Sequence, residues 1–219
     1  MDARSIRDQA IKDAKCTIIL DAARKVFAEK GFHESRLEDI AAESGFSKAS
    51  LYNYYTDKDE IFLSLAVRDF QNLLNNLITM TNSNDPFFVN LERMIRVSLS
   101  FFGDHFAFIV STTNFHVIRK LKPERLEKHH QEISEKFSAH YFEILSHHTK
   151  LIEEAQGRGE LSDALPAISI ARYVSSLVRG TFIEWKLNGE KGDIERETLQ
   201  LLTFIKNGIG CNNFEFSPS

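Results

Sequence analysis

Apolar residues recur at helical spacing along most of the chain, and the alternation typical of strands is scarce. Within residues 14–30, apolar positions three and four apart predict a helix with one buried face, and Gly31 is predicted to end it. The same period predicts a helix from about 57 to 80, followed by the turn-rich segment 81–86. Further helices are predicted at 86–102, 104–118, 123–157, 166–188 and 193–208. The pattern predicts an all-α fold.

Residues 35–55 predict two short helices joined by a tight turn. Ser35, followed three residues later by Glu38, forms the capping-box pattern that begins a helix. Gly45 is predicted to end that helix, because glycine adopts the left-handed C-cap at little cost. Ser47 then suits the N-cap of the second helix.

Three residues of this segment stand in the relative positions that a helix-turn-helix requires. Ala41 is small enough for the two helices to approach closely, and Gly45 makes the turn. Leu51 is the aliphatic residue that locks the second helix across the first. This arrangement predicts a unit that reads DNA, with the second helix in the major groove.

The segment from Thr17 to Leu65 resembles the N-terminal domain of TetR-type (TetR/AcrR) transcriptional regulators. The matching runs are AARKVFAEKGF at 22–32, S-x-L-x-D-I-A at 35–41, G-F-S-K-A-S-L-Y-N-Y-Y at 45–55 and D-K-D-E-I at 57–61. The chain departs from the family at Ser35 and Arg36, where threonines are common. The resemblance implies an N-terminal three-helix DNA-binding domain with a helix-turn-helix and a larger C-terminal helical domain for ligand binding and dimerisation.

On this basis the chain is expected to divide into two domains and a tail. Residues 1–65 would form the DNA-binding domain, and residues 66–210 the effector-binding and dimerisation domain. Residues 211–219 would be a disordered tail. The predicted helix from 57 to 80 carries apolar residues of both domains, so it is a candidate transmitter between them.

Composition limits the other classes of function. No run of about 18 apolar residues predicts a membrane span, and the charged N-terminus lacks a secretory core. The two cysteines, Cys16 and Cys211, stand near opposite ends and give neither a disulfide framework nor metal-ligand spacing. We therefore expect a cytoplasmic protein with no membrane association, no metal and no cofactor.

Net charge is −4, from 27 Lys and Arg against 31 Asp and Glu. A DNA-binding domain is expected to carry a basic surface. Residues 45–55 contain Lys48 and no acidic residue, so the positive surface is local. Tight binding would then depend on a dimer and on uncharged phosphate contacts, such as hydroxyls and helix N-termini.

The second helix of the motif carries polar and aromatic side chains that suit DNA contact better than a core. Asn53 can read adenine, Lys48 can reach guanine acceptors, and Ala49 can touch a thymine methyl group. The predicted DNA-contact residues are Arg36, Ser47, Lys48, Ala49, Ser50, Tyr52, Asn53, Tyr54 and Lys58.

Within this set Ser50, Tyr54 and Lys58 are expected at phosphates, which the family resemblance supports. Arg36 is a further candidate phosphate contact. Simple packing is the alternative for the tyrosines. We favour it for Tyr55, where the family has a buried aromatic residue, and leave it open for the others.

Phenylalanine is unusually common, with 18 residues, several of them between 87 and 115. An aromatic stripe is more often core than pocket. In a regulator domain, part of it would line a cavity for a small hydrophobic effector, aromatic or acyl in character. The candidate pocket residues are Phe101, Phe102, Phe106, Phe115, Phe137, Tyr141, His148 and Phe182.

The paired histidines do not predict a metal site, because no two histidines have i,i+4 spacing. His130 and His148 share a face but lie 18 residues apart, roughly 27 Å along a helix. His148 is therefore either a satisfied core histidine or a polar group that orients an effector.

The last two predicted helices suggest a dimer interface. Ser176 and Gly180 are four residues apart, so a partner helix could approach closely. The candidate interface residues are Ser176, Gly180, Trp185, Leu201, Leu202 and Ile205. An intrachain core would use the same residues, and the resemblance favours the homodimer because family members read two half-sites.

The combined interpretation is a ligand-responsive repressor that a small apolar effector releases from a palindromic double-stranded DNA operator. No catalytic constellation or phosphate-binding glycine loop is present in the sequence, so we expect no enzyme activity. The alternatives are an all-α carrier or enzyme with a corner like a helix-turn-helix, and a ligand-independent activator.

Overall fold

The computed structural model of the protein describes residues 2–104, 128–188 and 192–207, with backbone alone for 102–104, 128–134, 137 and 186. These residues form eight helices and no strand, which confirms the all-α prediction. The helices are α1 (Ala3–Glu34), α2 (Leu37–Ser44), α3 (Lys48–Leu51), α4 (Lys58–Met80), α5 (Phe87–Asp104), α6 (Lys128–Gly157), α7 (Ala167–Leu187) and α8 (Ile194–Asn207). The helix predicted at 104–118 lies almost entirely outside the described residues.

The chain divides into two compact units. Unit 1 comprises Met1–Leu74 and Asp104–Glu143, and unit 2 comprises Asn75–Gly103 and Ile144–Ser219. The division falls within α4 and within α6, so each of these helices contributes residues to both units. The expected boundary at residue 65 stays a prediction.

Helix α1 begins earlier than the apolar pattern predicts. Asp2 caps it by accepting a hydrogen bond from the Ser5 backbone N–H at 2.7 Å. Its buried face starts only at Ile19, which explains why periodicity missed the polar first turns. Gly31 has a φ of 76° and breaks the regular helix, as predicted.

The predicted capping box at Ser35 and Glu38 is wrong. Helix α2 begins one residue later, with Arg36 at the N-cap, and Asp39 accepts a hydrogen bond from the Arg36 backbone N–H at 2.9 Å. Ser35 is buried instead, and its hydroxyl donates to the Gly31 carbonyl at 2.5 Å. The serine therefore secures the turn after α1.

A buried ion-pair cluster connects α1 to α4 within unit 1. Asp69 is 1% exposed and pairs with the Arg24 guanidinium. Arg68 lies on the other side, with Nε 3.7 Å from Asp69 and Nη1 2.8 Å from Asp21. A buried carboxylate is tolerated only when it is paired, so these contacts determine how the two helices pack.

Unit 2 is organised by polar groups that secure the ends of its helices. The buried side chain of Asn90 accepts a hydrogen bond from the Asn82 N–H at 2.9 Å and donates to the Asn82 carbonyl at 2.7 Å, which closes the turn before α5. Glu160 accepts a hydrogen bond from the Phe87 N–H at 2.6 Å, so a carboxylate lies at the N-terminus of α5. Gly192 allows the Trp185 ring to pack against the backbone, because a Cβ there would lie 2.0 Å from the indole.

We predict that Asp69→Asn lowers the free energy of unfolding by about 3 kcal/mol, because it removes the buried counter-charge of the partly buried Arg24 and Arg68 guanidinium groups. Urea denaturation of purified protein measures this loss. Glu43→Gln is the control, since Glu43 pairs with Lys25 at the surface. Equal stability of the two variants would show that the buried cluster contributes nothing beyond a surface pair.

Candidate nucleic-acid interface

The corner between α2 and α3 has the geometry of a helix-turn-helix. Gly45 is left-handed, with φ 73° and ψ 13°, and ends α2. The Phe46 N–H donates to the Ala41 carbonyl at 3.1 Å, which satisfies a carbonyl of the last turn. Ala41 and Leu51 are both buried, so they fill the contact between the two helices. All three predicted motif residues occupy their expected places.

Helix α3 is short but is extended by further turns. Ser47 caps it by accepting a hydrogen bond from the Ser50 N–H at 3.1 Å, as predicted. Beyond Leu51, the N–H groups of Asn53, Tyr54 and Tyr55 donate to carbonyls of α3 three or four residues back. The segment from Ser47 to Tyr55 is therefore helical or tightly turned throughout. We call it the reading segment.

The reading segment presents most of its predicted contact residues to solvent. Arg36, on the preceding turn, is exposed, and Ser50, Tyr54 and Lys58 are half-buried. The exposed residues of the segment are Ser47, Lys48, Ala49, Tyr52 and Asn53. An exposed helical segment that carries polar side chains can enter a major groove.

Lys48 is paired within the subunit, which the sequence did not predict. Its ammonium lies 2.5 Å from the Glu38 carboxylate on α2 and 6.0 Å from the centre of the Tyr52 ring. The hydrogen bond to Glu38 raises the pKa of Lys48, and the same bond lowers the pKa of Glu38. Contact between Lys48 and DNA therefore competes with a carboxylate beside the reading segment.

The tyrosines of the reading segment differ in their surroundings. Tyr55 is buried, as predicted, and burial followed by the nearby Cys16 thiol raises the pKa of its hydroxyl. Tyr54 packs edge-on against Phe46, with ring centres 6.3 Å apart, and the Lys15 ammonium lies 6.0 Å from the centre of its ring. Tyr52 is half-exposed. Packing therefore explains a tyrosine at position 55 without any contact to DNA, and it explains Tyr54 in part.

Lys58 has a structural role that sequence reasoning missed. Its ammonium donates to the carbonyls of Phe32 at 2.7 Å, Ser35 at 2.8 Å and His33 at 3.3 Å, and lies 4.5 Å from the centre of the Phe32 ring. These bonds use all three donor hydrogens of an ammonium group. A phosphate contact by Lys58 stays a prediction, and it would require the loss of a carbonyl partner.

The predicted pocket residues are only partly described. In unit 2, Phe101, His148 and Phe182 are buried, and in unit 1 Tyr141 is half-buried. Phe106 and Phe115 lie outside the described residues, as do the side chains of Phe102 and Phe137. The pocket therefore stays a prediction.

The predicted interface residues fall into two groups. Ser176 and Gly180 are exposed on α7, and a Cβ on Gly180 would meet no described atom within 4 Å. Leu202 and Ile205 on α8 are half-buried. Trp185 and Leu201 are buried within the subunit. The interface stays a prediction.

Other classes of site find no support in the described part of the chain. No group of three or more His, Cys, Asp or Glu side chains there could hold a metal ion. None of its helices combines the length and the apolar character that crossing a membrane requires.

The fold and the exposed helix-turn-helix define a helical DNA-binding protein. Residues 19–65 match the model of the family described as bacterial regulatory proteins, tetR family. Residues 19–65 therefore carry the DNA-binding domain of this family of transcriptional regulators.

Two relatives match most of the chain, well beyond residues 19–65. The fatty acid metabolism regulator protein of Bacillus subtilis is 23% identical over 202 residues, which cover 90% of this chain and 97% of the relative. The HTH-type transcriptional repressor BepR of Brucella suis is 27% identical over 183 residues, which cover 80% of this chain and 81% of the relative.

Solved structures share the fold. The regulator FadR from Bacillus subtilis, in complex with stearoyl-CoA, has a TM-score of 0.72 and 21% identity, covering 89% of this chain and 99% of that one. The TetR family regulator PfmR from Thermus thermophilus has a TM-score of 0.71 and 21% identity, covering 88% and 99%. These likenesses confirm the predicted arrangement of a helix-turn-helix domain and a larger helical domain.

We predict that Glu38→Gln strengthens DNA binding by roughly 2- to 5-fold at low salt, the range expected from losing one exposed ion pair. The change frees Lys48 and removes a negative charge near the phosphates. Fluorescence anisotropy on labelled duplex DNA measures the affinity. The gain should shrink as salt screens the charges.

Glu43→Gln is the matched control, because Glu43 is also on α2 and also pairs with one lysine. Both variants change the net charge by the same amount. Equal gains would show that only net charge matters and that Lys48 has no particular role at the DNA.

Proposed function

We propose that the protein is a ligand-responsive repressor that binds a palindromic operator as a homodimer and is released by an apolar, acyl-type effector. The exposed reading segment, held by Gly45 and the buried Leu51, is the observation that carries the proposal. A dimer presents two such segments, which suits two half-sites about one helical turn apart.

Base reading in this proposal rests mainly on Asn53. Its side chain is exposed and makes no hydrogen bond within the described part of the chain, so both its amide N–H and its carbonyl are available. These two groups match the N7 and N6 edge of adenine. Lys48 and the hydroxyls of Ser47 and Ser50 add contacts without a large positive charge.

Asn53→Ala is expected to weaken binding to the preferred site by about 1–3 kcal/mol and to relax the preference at one base pair per half-site. Binding-site selection from a random oligonucleotide pool, for parent and variant, measures both effects. Asn72→Ala is the control, because Asn72 is an exposed asparagine on α4, outside the reading segment. An unchanged selected sequence for Asn53→Ala would rule out base reading by Asn53.

The proposed dimer uses the outer face of α7 and part of α8. Tyr173 and Leu187 on α7 are 61% and 82% exposed, unusually high for large apolar residues. They lie in one helical stripe with Ser176 and Gly180, which suits close helix packing. On α8, Leu199 and Phe204 are also exposed. Together these residues would supply apolar surface for a four-helix bundle formed by two subunits.

Gly180→Leu is expected to produce a folded, helical monomer that no longer binds the operator. Gly180 lies within α7, and its side-chain space within the described subunit is open, so the substitution suits the helix. In the dimer the added side chain would hold the two α7 helices apart. Sedimentation velocity and circular dichroism measure the two properties.

Gly157→Leu is the control for Gly180→Leu. A Cβ on Gly157 also meets no described atom within 4 Å, but this residue lies at the end of α6, away from the proposed stripe. It should leave the dimer intact. A Gly180→Leu protein that still sediments as a dimer would contradict the proposed interface.

The effector class follows from the relatives and from the composition of unit 2. One relative is a fatty acid metabolism regulator, and one structure of the same fold contains stearoyl-CoA. In this chain the buried side chains of unit 2 are mainly aromatic and aliphatic, including Phe87, Phe101 and Phe182. Such an interior suits a long acyl chain.

Release of the operator by stearoyl-CoA is the test of the whole proposal. The operator selected above is labelled, and its affinity is measured with increasing stearoyl-CoA, with free CoA as the control. We expect stearoyl-CoA to weaken operator binding and free CoA to have no effect. A ligand can shift the equilibrium only by binding one state better than the other. Binding of stearoyl-CoA without any change in operator affinity would contradict ligand-responsive repression.

A further inference from the structure

His148 is a buried histidine that has no partner among the described residues. It lies on α6 within unit 2, is 5% exposed, and neither of its ring nitrogens has a hydrogen-bond partner in the described part of the chain. Buried polar groups in folded proteins are nearly always hydrogen-bonded, because an unpaired one loses its bonds to water without replacement. Among the described residues, His148 is therefore a buried polar group whose loss of bonds to water is not compensated.

The surroundings of His148 on its own helix are apolar. Residues one turn away on either side, Ile144, Leu151 and Ile152, are buried, and so is Ala155. Burial, followed by the neighbouring His147, lowers the pKa of His148 to about 3. At neutral pH the imidazole is therefore uncharged and offers one hydrogen-bond donor and one acceptor.

The adjacent residue, His147, is a histidine of the same unit that does have a hydrogen-bond partner. Its Nε2 lies 2.8 Å from the Thr81 hydroxyl, and that hydroxyl donates its own hydrogen to the Leu77 carbonyl at 2.6 Å. Thr81 must then accept from His147, so Nε2 of His147 carries the hydrogen. His147 thus has a structural role, and the described residues give His148 no comparable one.

Other buried polar atoms of the described residues also lack a hydrogen bond, and several of them belong to charged side chains. In unit 1 they belong to Arg24, Arg68 and Asp69, which are joined in ion pairs. In unit 2, Glu154 Oε2 also lacks a hydrogen bond, and the other oxygen of this carboxylate lies 4.0 Å from the Lys150 ammonium. The Thr198 hydroxyl on α8, with the residue 1% exposed, has no partner among the described residues. Unit 2 therefore contains two buried, uncharged hydrogen-bonding groups that the described part of the protein leaves unsatisfied.

We propose that His148 is a specificity-determining residue of the effector site in unit 2, and that it recognises an uncharged hydrogen-bonding group of the ester, thioester, amide or hydroxyl class on an otherwise apolar effector. This inference rests on the proposed function and defines the effector more closely. An uncharged carbonyl would accept from the imidazole N–H, and a hydroxyl could either accept from that N–H or donate to the other ring nitrogen. A carboxylate would require a buried charge, which costs much more.

The test uses purified full-length protein and three variants. His148→Leu replaces the imidazole with an apolar side chain of similar size, and His148→Gln keeps an uncharged donor and acceptor. His147→Leu is the matched control. The probes are stearoyl-CoA, its thioether analogue S-octadecyl-CoA, which lacks the carbonyl, and stearate. Fluorescence of Trp185, the single tryptophan and a buried residue of unit 2, reports binding.

We expect the parent protein to bind stearoyl-CoA about tenfold more tightly than the thioether, an upper value for one hydrogen bond. His148→Leu should bind both equally, His148→Gln should keep part of the preference, and His147→Leu should keep all of it. Stearate should bind more weakly than stearoyl-CoA. A His148→Leu protein that keeps the full thioester preference would overturn the proposal.

Thermal unfolding of the ligand-free proteins tests, independently of the probes, whether His148 stabilises the fold. His148→Leu should unfold at or above the temperature of the parent, because it removes an unsatisfied group. His147→Leu should unfold below it, because it breaks the bond to Thr81. A His148→Leu protein destabilised as much as His147→Leu would show a structural histidine and overturn the proposal. If the parent binds neither CoA compound, the acyl effector of the proposed function fails, and this comparison still decides the role of His148.

Discussion

The pairing of Asp69 with Arg24 and Arg68 is the interaction on which the arrangement of unit 1 depends. A carboxylate that is 1% exposed must have its counter-charge, so α4 can pack on α1 only in the register that brings these groups together. Helix α4 begins shortly after the reading segment, and its Lys58 also secures the turn after α1. The orientation of the reading segment therefore depends on polar contacts as much as on the apolar core.

Polar groups have opposite roles in the two units. In unit 1 the buried charges are paired, which fixes helix positions within the DNA-reading unit. In unit 2, His148 and the Thr198 hydroxyl are buried without partners among the described residues. A protein that must respond to a ligand gains from such groups, because a ligand that satisfies them binds one state of the protein better than another. In the proposed function, stability and the response to a ligand would thus depend on different parts of the chain.

Charge at the reading segment is balanced locally. Lys48 is the basic residue of this segment, and Glu38 already pairs with it at 2.5 Å. DNA binding must exchange that carboxylate for a phosphate or a base, so the net electrostatic gain per subunit is small. In the proposed complex, affinity would then depend on two subunits and on uncharged contacts, such as those proposed for Asn53 and the serine hydroxyls.

The sequence by itself determined the helices and turns, because these depend on neighbouring residues. Periodicity predicted the described helices except for the polar first turns of α1. Gly31 and Gly45 predicted breaks, and Ser47 predicted a cap. The helix-turn-helix and the family followed from the same local signals. Only the tertiary structure decided which distant groups meet: Arg24 and Asp69 are 45 residues apart, and Lys58 reaches carbonyls 23 to 26 residues away. Only the tertiary structure could also show that the ring nitrogens of His148 lack a hydrogen-bond partner among the described residues. The spacing of apolar residues along a helix shows that a residue faces inward, but it does not show whether another helix supplies a partner.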